Sequence, residues 1–145
     1  MLDLQKGALI VDYDSPGATP AADIATLIRD GRLDSAAVGV GASTLYALGS
    51  AEASDYLGLA AGASQTWRGH RVDDTSFVVR FTYAGDANLD GKIDIDDYGQ
   101  IDFSVGGAAT GSPGWFRGDF TYDGKVNIDD YGLIDFNIAA QGQVL

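Results

Sequence analysis

Aspartate is the residue through which this chain could do chemistry, and its distribution along the sequence is uneven. The sequence has twenty aspartates and a single glutamate, Glu52, and eleven of the aspartates fall between Asp86 and Asp135. The short carboxylate of aspartate suits turns and loops in which oxygen atoms surround a hard cation, whereas a charged helical surface would be richer in glutamate. The second part of the chain therefore concentrates oxygen ligands.

Within that part the chain repeats itself. Residues 85–105 and 118–138 align with thirteen identities in twenty-one positions, at an offset of 33 residues. Each copy places oxygen-bearing residues at alternate positions of a loop and a glycine in the middle, where the backbone must turn sharply. This is the EF-hand pattern of calcium ligation. The sequence therefore predicts two bound calcium ions as cofactors, one in each copy.

The predicted metal ligands follow from the loop positions. In the first loop they are Asp86, Asn88, Asp90, the main-chain carbonyl of Lys92, Asp94 and Asp97. In the second loop they are Asp119, Thr121, Asp123, the main-chain carbonyl of Lys125, Asn127 and Asp130. The first set contains one more carboxylate than the second, so charge counting predicts tighter binding by the first loop.

A helix is expected after each loop and none before it, over Ile95–Val105 and Ile128–Ile138. Ile93 and Val126, at equivalent positions of the two loops, are expected to pair in a short ladder. Three further expectations concern equivalent residues of the two helices. Gly99 and Gly132 would allow a close helix crossing, some of the aromatic residues would complete the core, and exposed ones would be candidate hot spots for binding. The aromatic residues are Tyr98, Phe103, Tyr131 and Phe136.

The residues before the repeats predict a small sheet. Ala8–Val11 is expected to be a buried strand without a nearby hairpin partner, and Pro20–Asp30 a helix. Leu45–Ala51 is a possible strand, and Gln65–Arg68 is expected to form a hairpin with Ser76–Tyr83. Between the repeats, residues 106–117 are predicted to be a connector anchored by Trp115 and Phe116.

The two repeats, GDANLDGKIDIDDYGQIDF and GDFTYDGKVNIDDYGLIDF, resemble those of the type I dockerin domain. The resemblance implies folding with calcium and non-covalent docking onto a cohesin-like protein in two equivalent orientations. It also implies recognition through the pairs Ile95-Asp96, Asp102-Phe103, Ile128-Asp129 and Asp135-Phe136, which differ from the usual Ser/Thr and Lys/Arg choices. The segments before the loops, Ala47-Leu48-Gly49, Val72-Asp73-Asp74-Thr75-Ser76 and Tyr83-Ala84-Gly85-Asp86, resemble the C-terminal regions of large secreted planctomycete-type proteins.

The fold class expected from these readings is α+β, in two parts. Residues 1–84 would form a small antiparallel β-rich module with one helix. Residues 85–145 would form an all-α dockerin-like pair of calcium loop-helix repeats.

Composition excludes several classes of partner and of site. The net charge of −12 argues against nucleic-acid or anionic-membrane partners, and the sequence contains neither cysteine nor an apolar run long enough for membrane insertion. His70 is the only histidine and cannot by itself anchor a zinc site, and Glu52 with Asp55 lacks the surroundings of a catalytic pair. We therefore do not expect an enzyme, and the resemblance to dockerins implies an extracellular or cell-surface protein.

Two functions remain open from the sequence. The first is calcium-dependent docking onto another protein. The alternative is a self-assembling subunit of a calcium-stabilised fibre or surface layer. In that homopolymer, strand 2–13 could complete a neighbour's sheet.

Overall fold

A computed structural model describes residues 1–38, 45–105 and 114–145. The strands are β1 (Leu2–Asp3), β2 (Ala8–Asp12), β3 (Leu33–Asp34), β4 (Tyr46–Glu52), β5 (Ser64–Trp67), β6 (His70–Asp73) and β7 (Ser76–Tyr83). The helices are α1 (Ala21–Arg29), α2 (Ala53–Leu57), α3 (Ile95–Val105) and α4 (Ile128–Asn137), with a 3₁₀ turn at Trp115–Arg117. Part of the predicted connector, residues 106–113, lies outside the described residues.

Strand β7 is the centre of the fold. It lies between β2 and β4 in a three-stranded antiparallel sheet, and all of its residues are buried. The predicted pairing of β7 with the segment before His70 was wrong, because β5 pairs with β6 instead. Arg68 and Gly69 both have positive φ, 50° and 82°, and this is the backbone of a tight hairpin turn between adjacent strands.

The N-terminal strands have partners within the chain. β1 pairs in parallel with β3, and β2 pairs antiparallel with β7 from Ala8 opposite Arg80 to Asp12 opposite Ser76. As expected, this segment, residues 2–13, forms no hairpin with the residues that follow it directly in the sequence. The partner strand of β2 lies far along the chain.

The central sheet is covered on both faces. On one face Phe77, Val79 and Phe81 pack with Ile24 of α1 and Leu33 of β3. On the other face Val78 of β7 packs with buried residues of α2 and of the β5–β6 hairpin, namely Ala53, Trp67 and Val72. Burial on both faces explains the apolar run Phe77–Val79, beyond which Arg80 and Thr82 alternate with Phe81 and Tyr83.

The loop-helix repeats pack against the same sheet. One buried cluster joins Ala51 of β4 and Tyr83 of β7 to Leu89 and Ile134 of the repeats and to Trp115 of the 3₁₀ turn. Gly49 of β4 lies at this contact, where a Cβ atom would approach Leu89 Cδ2 to 2.5 Å and Trp115 Nε1 to 2.7 Å. The missing side chain lets the repeats approach the sheet.

The predicted fold class was therefore wrong. The described residues form a mixed α/β protein with seven strands in three sheets and four α-helices, rather than a β-rich module followed by an all-α pair. The physical reason is the shared core, which local patterns do not reveal. The division of the chain at residue 85 stays a prediction.

Several single elements were predicted correctly. α3 has the expected bounds, α4 ends one residue earlier than expected, and α1 and β4 each lie within one residue of their predicted limits. The expected close helix crossing at Gly99 and Gly132 was wrong, because a Cβ atom at either position would meet nothing within 4 Å. Among the described residues, no helix is long and apolar enough to cross a bilayer.

Gly49→Ala should destabilise the fold, because the added methyl group would force Leu89 or Trp115 away from β4. Overpacking of this kind costs about 1–3 kcal/mol of unfolding free energy. Gly99→Ala is the matched control, since it fills open space in a helix and should stabilise by about 1 kcal/mol. Urea denaturation measures both. Equal stability of the two variants would contradict the close packing at Gly49.

Candidate metal centre

The first loop follows β7 directly and folds around the carboxylate of Asp86. One carboxylate oxygen accepts a hydrogen bond from the Asp90 amide at 3.1 Å, and the other accepts one from the Gly91 amide at 2.9 Å. Gly91 has a φ of 92°, which an L side chain rarely adopts, so glycine is required where the loop turns. Thr82 of β7 also donates to Asp86 and so joins the loop to the sheet.

Asp97 closes the first loop from the first turn of α3. Its carboxylate accepts hydrogen bonds from the amides of Ala87 and Asp94, both at 2.8 Å, and from the amide of Asn88 at 3.2 Å. These donors lie on both arms of the loop. The arms are therefore held together by two acidic side chains, Asp86 and Asp97.

The second loop repeats these contacts at equivalent positions. Asp119 accepts from the amides of Asp123 at 3.1 Å and Gly124 at 3.0 Å. Asp130 accepts from the amides of Phe120 and Asn127, both at 2.9 Å. The backbone also repeats, since Leu89 and Tyr122 have φ values of 60° and 56° at equivalent positions. The sequence repeat is thus a repeat of three-dimensional structure.

The four carboxylates at the centres of the loops are buried. Asp86, Asp97 and Asp130 have no exposed surface and Asp119 has 2%. Burial raises the pKa of Asp86 to about 7 and that of Asp97 to about 6, because the charged form loses its hydration, and it raises the pKa of Asp119 and Asp130 as well. Nearby aspartates raise these pKa values further, whereas the hydrogen bonds from the loop amides lower them.

The remaining predicted ligands lie at the rims of the loops. Asn88 and Asn127 accept hydrogen bonds from the amides of Asp90 and Asp129, at 2.9 and 2.8 Å. Thr121 lies 3.5 Å from the Asp119 carboxylate. Asp123 accepts from the amide of Lys125 at 2.9 Å.

The ammonium group of Lys92 lies against two rim carboxylates of the first loop. It is 3.5 Å from an oxygen of Asp90 and also contacts Asp94. The structure therefore places one positive charge beside two of the predicted ligands. This lysine side chain is 43% exposed and can turn away into solvent.

The donor set fits a hard cation. Among the described residues, none of the four buried carboxylates forms an ion pair with a lysine, arginine or histidine. Buried charge of this kind is costly unless it is offset, and a divalent cation bound by oxygen atoms would offset it. The described part of the chain contains no group of three acidic or histidine side chains already gathered for a metal. The four aspartates of the first predicted set and the three of the second are therefore not gathered around one point in this structure.

The expected pairing of Ile93 with Val126 was wrong, because the amide group of Gln141 occupies the main chain of Ile93. Gln141 Oε1 accepts a hydrogen bond from the Ile93 amide, and Gln141 Nε2 donates to the Ile93 carbonyl, both at 2.6 Å. One side chain thus satisfies both groups that a neighbouring strand would have satisfied. Sequence reasoning missed Gln141, since it lies 48 residues away.

Arg80 is a second residue that sequence reasoning missed. It is only 6% exposed, and it donates hydrogen bonds to the carbonyls of Leu89 at 2.7 Å and Leu145 at 3.1 Å. The Leu145 amide in turn donates to the Gly91 carbonyl at 2.9 Å. The last residues therefore lie across the first loop and fix it to β7. The only sign of this role in the sequence was the position of an arginine within the alternating pattern of a predicted strand.

Comparison of the chain with protein-family models, curated proteins and solved structures found no match. The resemblance to type I dockerins therefore depends on the repeated loop motifs themselves.

Gln141→Ala should destabilise the protein, because the Ile93 amide and carbonyl would both be left buried without their partner. Leaving such groups unpaired costs about 1–3 kcal/mol each. Chemical denaturation measures the loss, and faster hydrogen exchange at the Ile93 amide would locate it. Gln143→Ala is the matched control, since Gln143 is exposed and contributes only its main-chain carbonyl, to Tyr83. Equal stability of the two variants would contradict the role given to Gln141.

Proposed function

We propose that this chain is a non-catalytic, extracellular protein that binds two calcium ions and docks onto another protein. The observation that carries the calcium proposal is the identical folding of two loops around buried carboxylates, Asp86 with Asp97 and Asp119 with Asp130. Acidic side chains at the centre of a fold need a counter-charge. The loops would supply oxygen ligands to the ions and hold the helices in place.

The docking proposal rests on apolar side chains that remain exposed at equivalent positions of α3 and α4. Ile95 and Ile128 are 77% and 79% exposed, and Phe103 and Phe136 are 56% and 70% exposed. We call these four residues the Ile/Phe face. A contiguous exposed apolar patch marks an interaction site, and we infer that these residues form one.

Two hydrogen bonds tie the helices together beside these residues. Tyr98 of α3 donates to Asp135 of α4, and Tyr131 of α4 donates to Asp102 of α3. The two bonds are equivalent under the repeat and relate the helices by an approximate two-fold axis. A partner that fits one copy would therefore fit the other after a half-turn. The surrounding aspartates favour a partner whose apolar patch is edged by basic residues.

Calcium should raise the melting temperature strongly relative to chelator. An ion that binds only the folded state stabilises it by about 2.7 kcal/mol per site at a hundredfold excess over the dissociation constant. Asp86→Ala and Asp119→Ala should each reduce the calorimetric stoichiometry by one ion, and His70→Ala should leave it unchanged. The comparison also ranks the two loops, and charge counting expects the first to bind more tightly.

An unchanged melting curve in chelator would refute the calcium proposal. A loss of binding in His70→Ala would refute the assignment of the ligands, because His70 lies exposed in β6 and belongs to neither loop.

Docking through the Ile/Phe face should be lost in a Phe103→Asp/Phe136→Asp double variant. Burying the two aspartate carboxylates against an apolar partner would cost free energy, because they would lose their hydration. We expect the immobilised chain to retain a secreted protein of the source organism in calcium, to release it in chelator, and to lose it in the double variant. Val144→Asp is the matched control, because Val144 is 65% exposed in the C-terminal segment. Retention by all variants alike would contradict the proposal.

A further inference from the structure

Strand β2 is an edge of the central sheet. The strand order is β2-β7-β4, so β2 has β7 on one side and no strand on the other in the described part of the chain. Its five residues, Ala8–Asp12, carry no proline and form a regular extended strand. Proteins usually protect such edges with proline, bulges or inward charges, because an open edge pairs with other strands.

The pairing with β7 fixes which groups of β2 point outward. The Phe81 amide donates to the Gly7 carbonyl and the Tyr13 amide donates to the Thr75 carbonyl, so the odd-numbered residues of β2 bond to β7. The amides and carbonyls of Ala8, Ile10 and Asp12 therefore point to the open side. Together they provide six hydrogen-bonding groups without a partner among the described residues.

A groove runs beside this edge on the face that the β5–β6 hairpin covers. It has a volume of about 440 Å³, and β2 lines it on one side and the hairpin turn on the other, through Ala8, Leu9, Ile10, Trp67, Arg68 and His70. The Arg68 guanidinium stacks over the Trp67 ring at 5.5 Å. In a chain of net charge −12, this end of the edge is therefore basic.

The other end of the edge is acidic. Asp12 is exposed and forms no ion pair with any described residue. Asp14 follows it, and the Tyr13–Thr75 hydrogen bond brings Asp73 and Asp74 of the adjoining turn close by. Opposite charges thus lie at opposite ends of β2.

We propose that β2 pairs antiparallel with β2 of a second copy of this chain, around a two-fold axis at Ile10. In this register Ala8 lies opposite Asp12 of the second copy, Ile10 lies opposite Ile10, and all three pairs exchange both hydrogen bonds. Asp12 of the second copy reaches the groove beside Arg68 and His70, and the same contact forms again across the axis. The two sheets join into one of six strands, in the order β4-β7-β2-β2-β7-β4.

The chain itself selects this register. A shift by one residue would place the outward groups against residues whose groups are already bonded to β7. A shift by two residues would place Ile10 opposite either Asp12 or Ala8, which leaves two of the three hydrogen-bonded pairs and moves Asp12 away from Ala8 and the groove. The contact lies far from the calcium loops in sequence, and it is independent of the docking proposed above.

Sedimentation velocity over a wide range of protein concentration tests the proposal with the full-length chain. The wild type should form dimers that weaken as salt is raised, because charge pairs contribute. Ala8→Pro should weaken the dimer about tenfold or more, since each copy loses one outward amide while the pairing with β7 keeps its hydrogen bonds. Melting temperature checks that each variant is folded.

Exchanging the two charges that meet across the contact gives a second test, which holds even if the proline disturbs the strand. Asp12→Arg and Arg68→Asp should each weaken the dimer about tenfold, because like charges then meet twice across the axis. The double variant Asp12→Arg/Arg68→Asp should recover the wild-type affinity. A monomeric wild type, an Ala8→Pro variant that dimerises like the wild type, or a double variant weaker than either single one would each overturn the proposal.

Discussion

Two carboxylates are buried at the centre of each loop, and the structure of residues 85–145 depends on this burial. A buried carboxylate must be hydrogen-bonded, and amides of the loop itself donate to both oxygen atoms of each one. The backbone therefore turns at Gly91 and Gly124 to bring those amides round. The helices begin where Asp97 and Asp130 complete the set, which explains why α3 and α4 follow the loops directly.

The sheet is the support against which these loops are held. Tyr122 of the second loop donates to the Leu48 carbonyl at 2.8 Å and lies 2.9 Å from the Ser50 hydroxyl, so it bonds directly to β4. Trp115 donates to the Asp86 carbonyl at 2.6 Å and packs against Phe120 and Tyr122. Two aromatic residues thus connect the second loop, the first loop and the sheet. This shared core makes the molecule a mixed α/β protein.

The sequence predicted the parts of the site that depend on residues close together in the chain. The loop glycines and the start of α3 depend on such local patterns, and the two copies in register made both predictable, whereas the metal ligands stay a prediction. The contacts of Gln141 and Arg80 were not predictable in this way, because an isolated glutamine or arginine carries no periodic signal. The hairpin was misplaced for a related reason. Asp73-Asp74 and Arg68-Gly69 both resemble turns, and only the register of β7 between β2 and β4 decides between them.

The two loops differ in what surrounds them, although their internal contacts match. The first loop is enclosed by distant residues, since Gln141 satisfies Ile93 and Arg80 joins Leu89 to the last residue, Leu145. The second loop instead rests on β4 through Tyr122. Order in the first loop is therefore linked to the C-terminal segment, and order in the second loop to the central sheet. Because β4 and β2 flank the same strand, β7, the sheet is the physical connection between the second loop and the edge at which we propose that two copies meet.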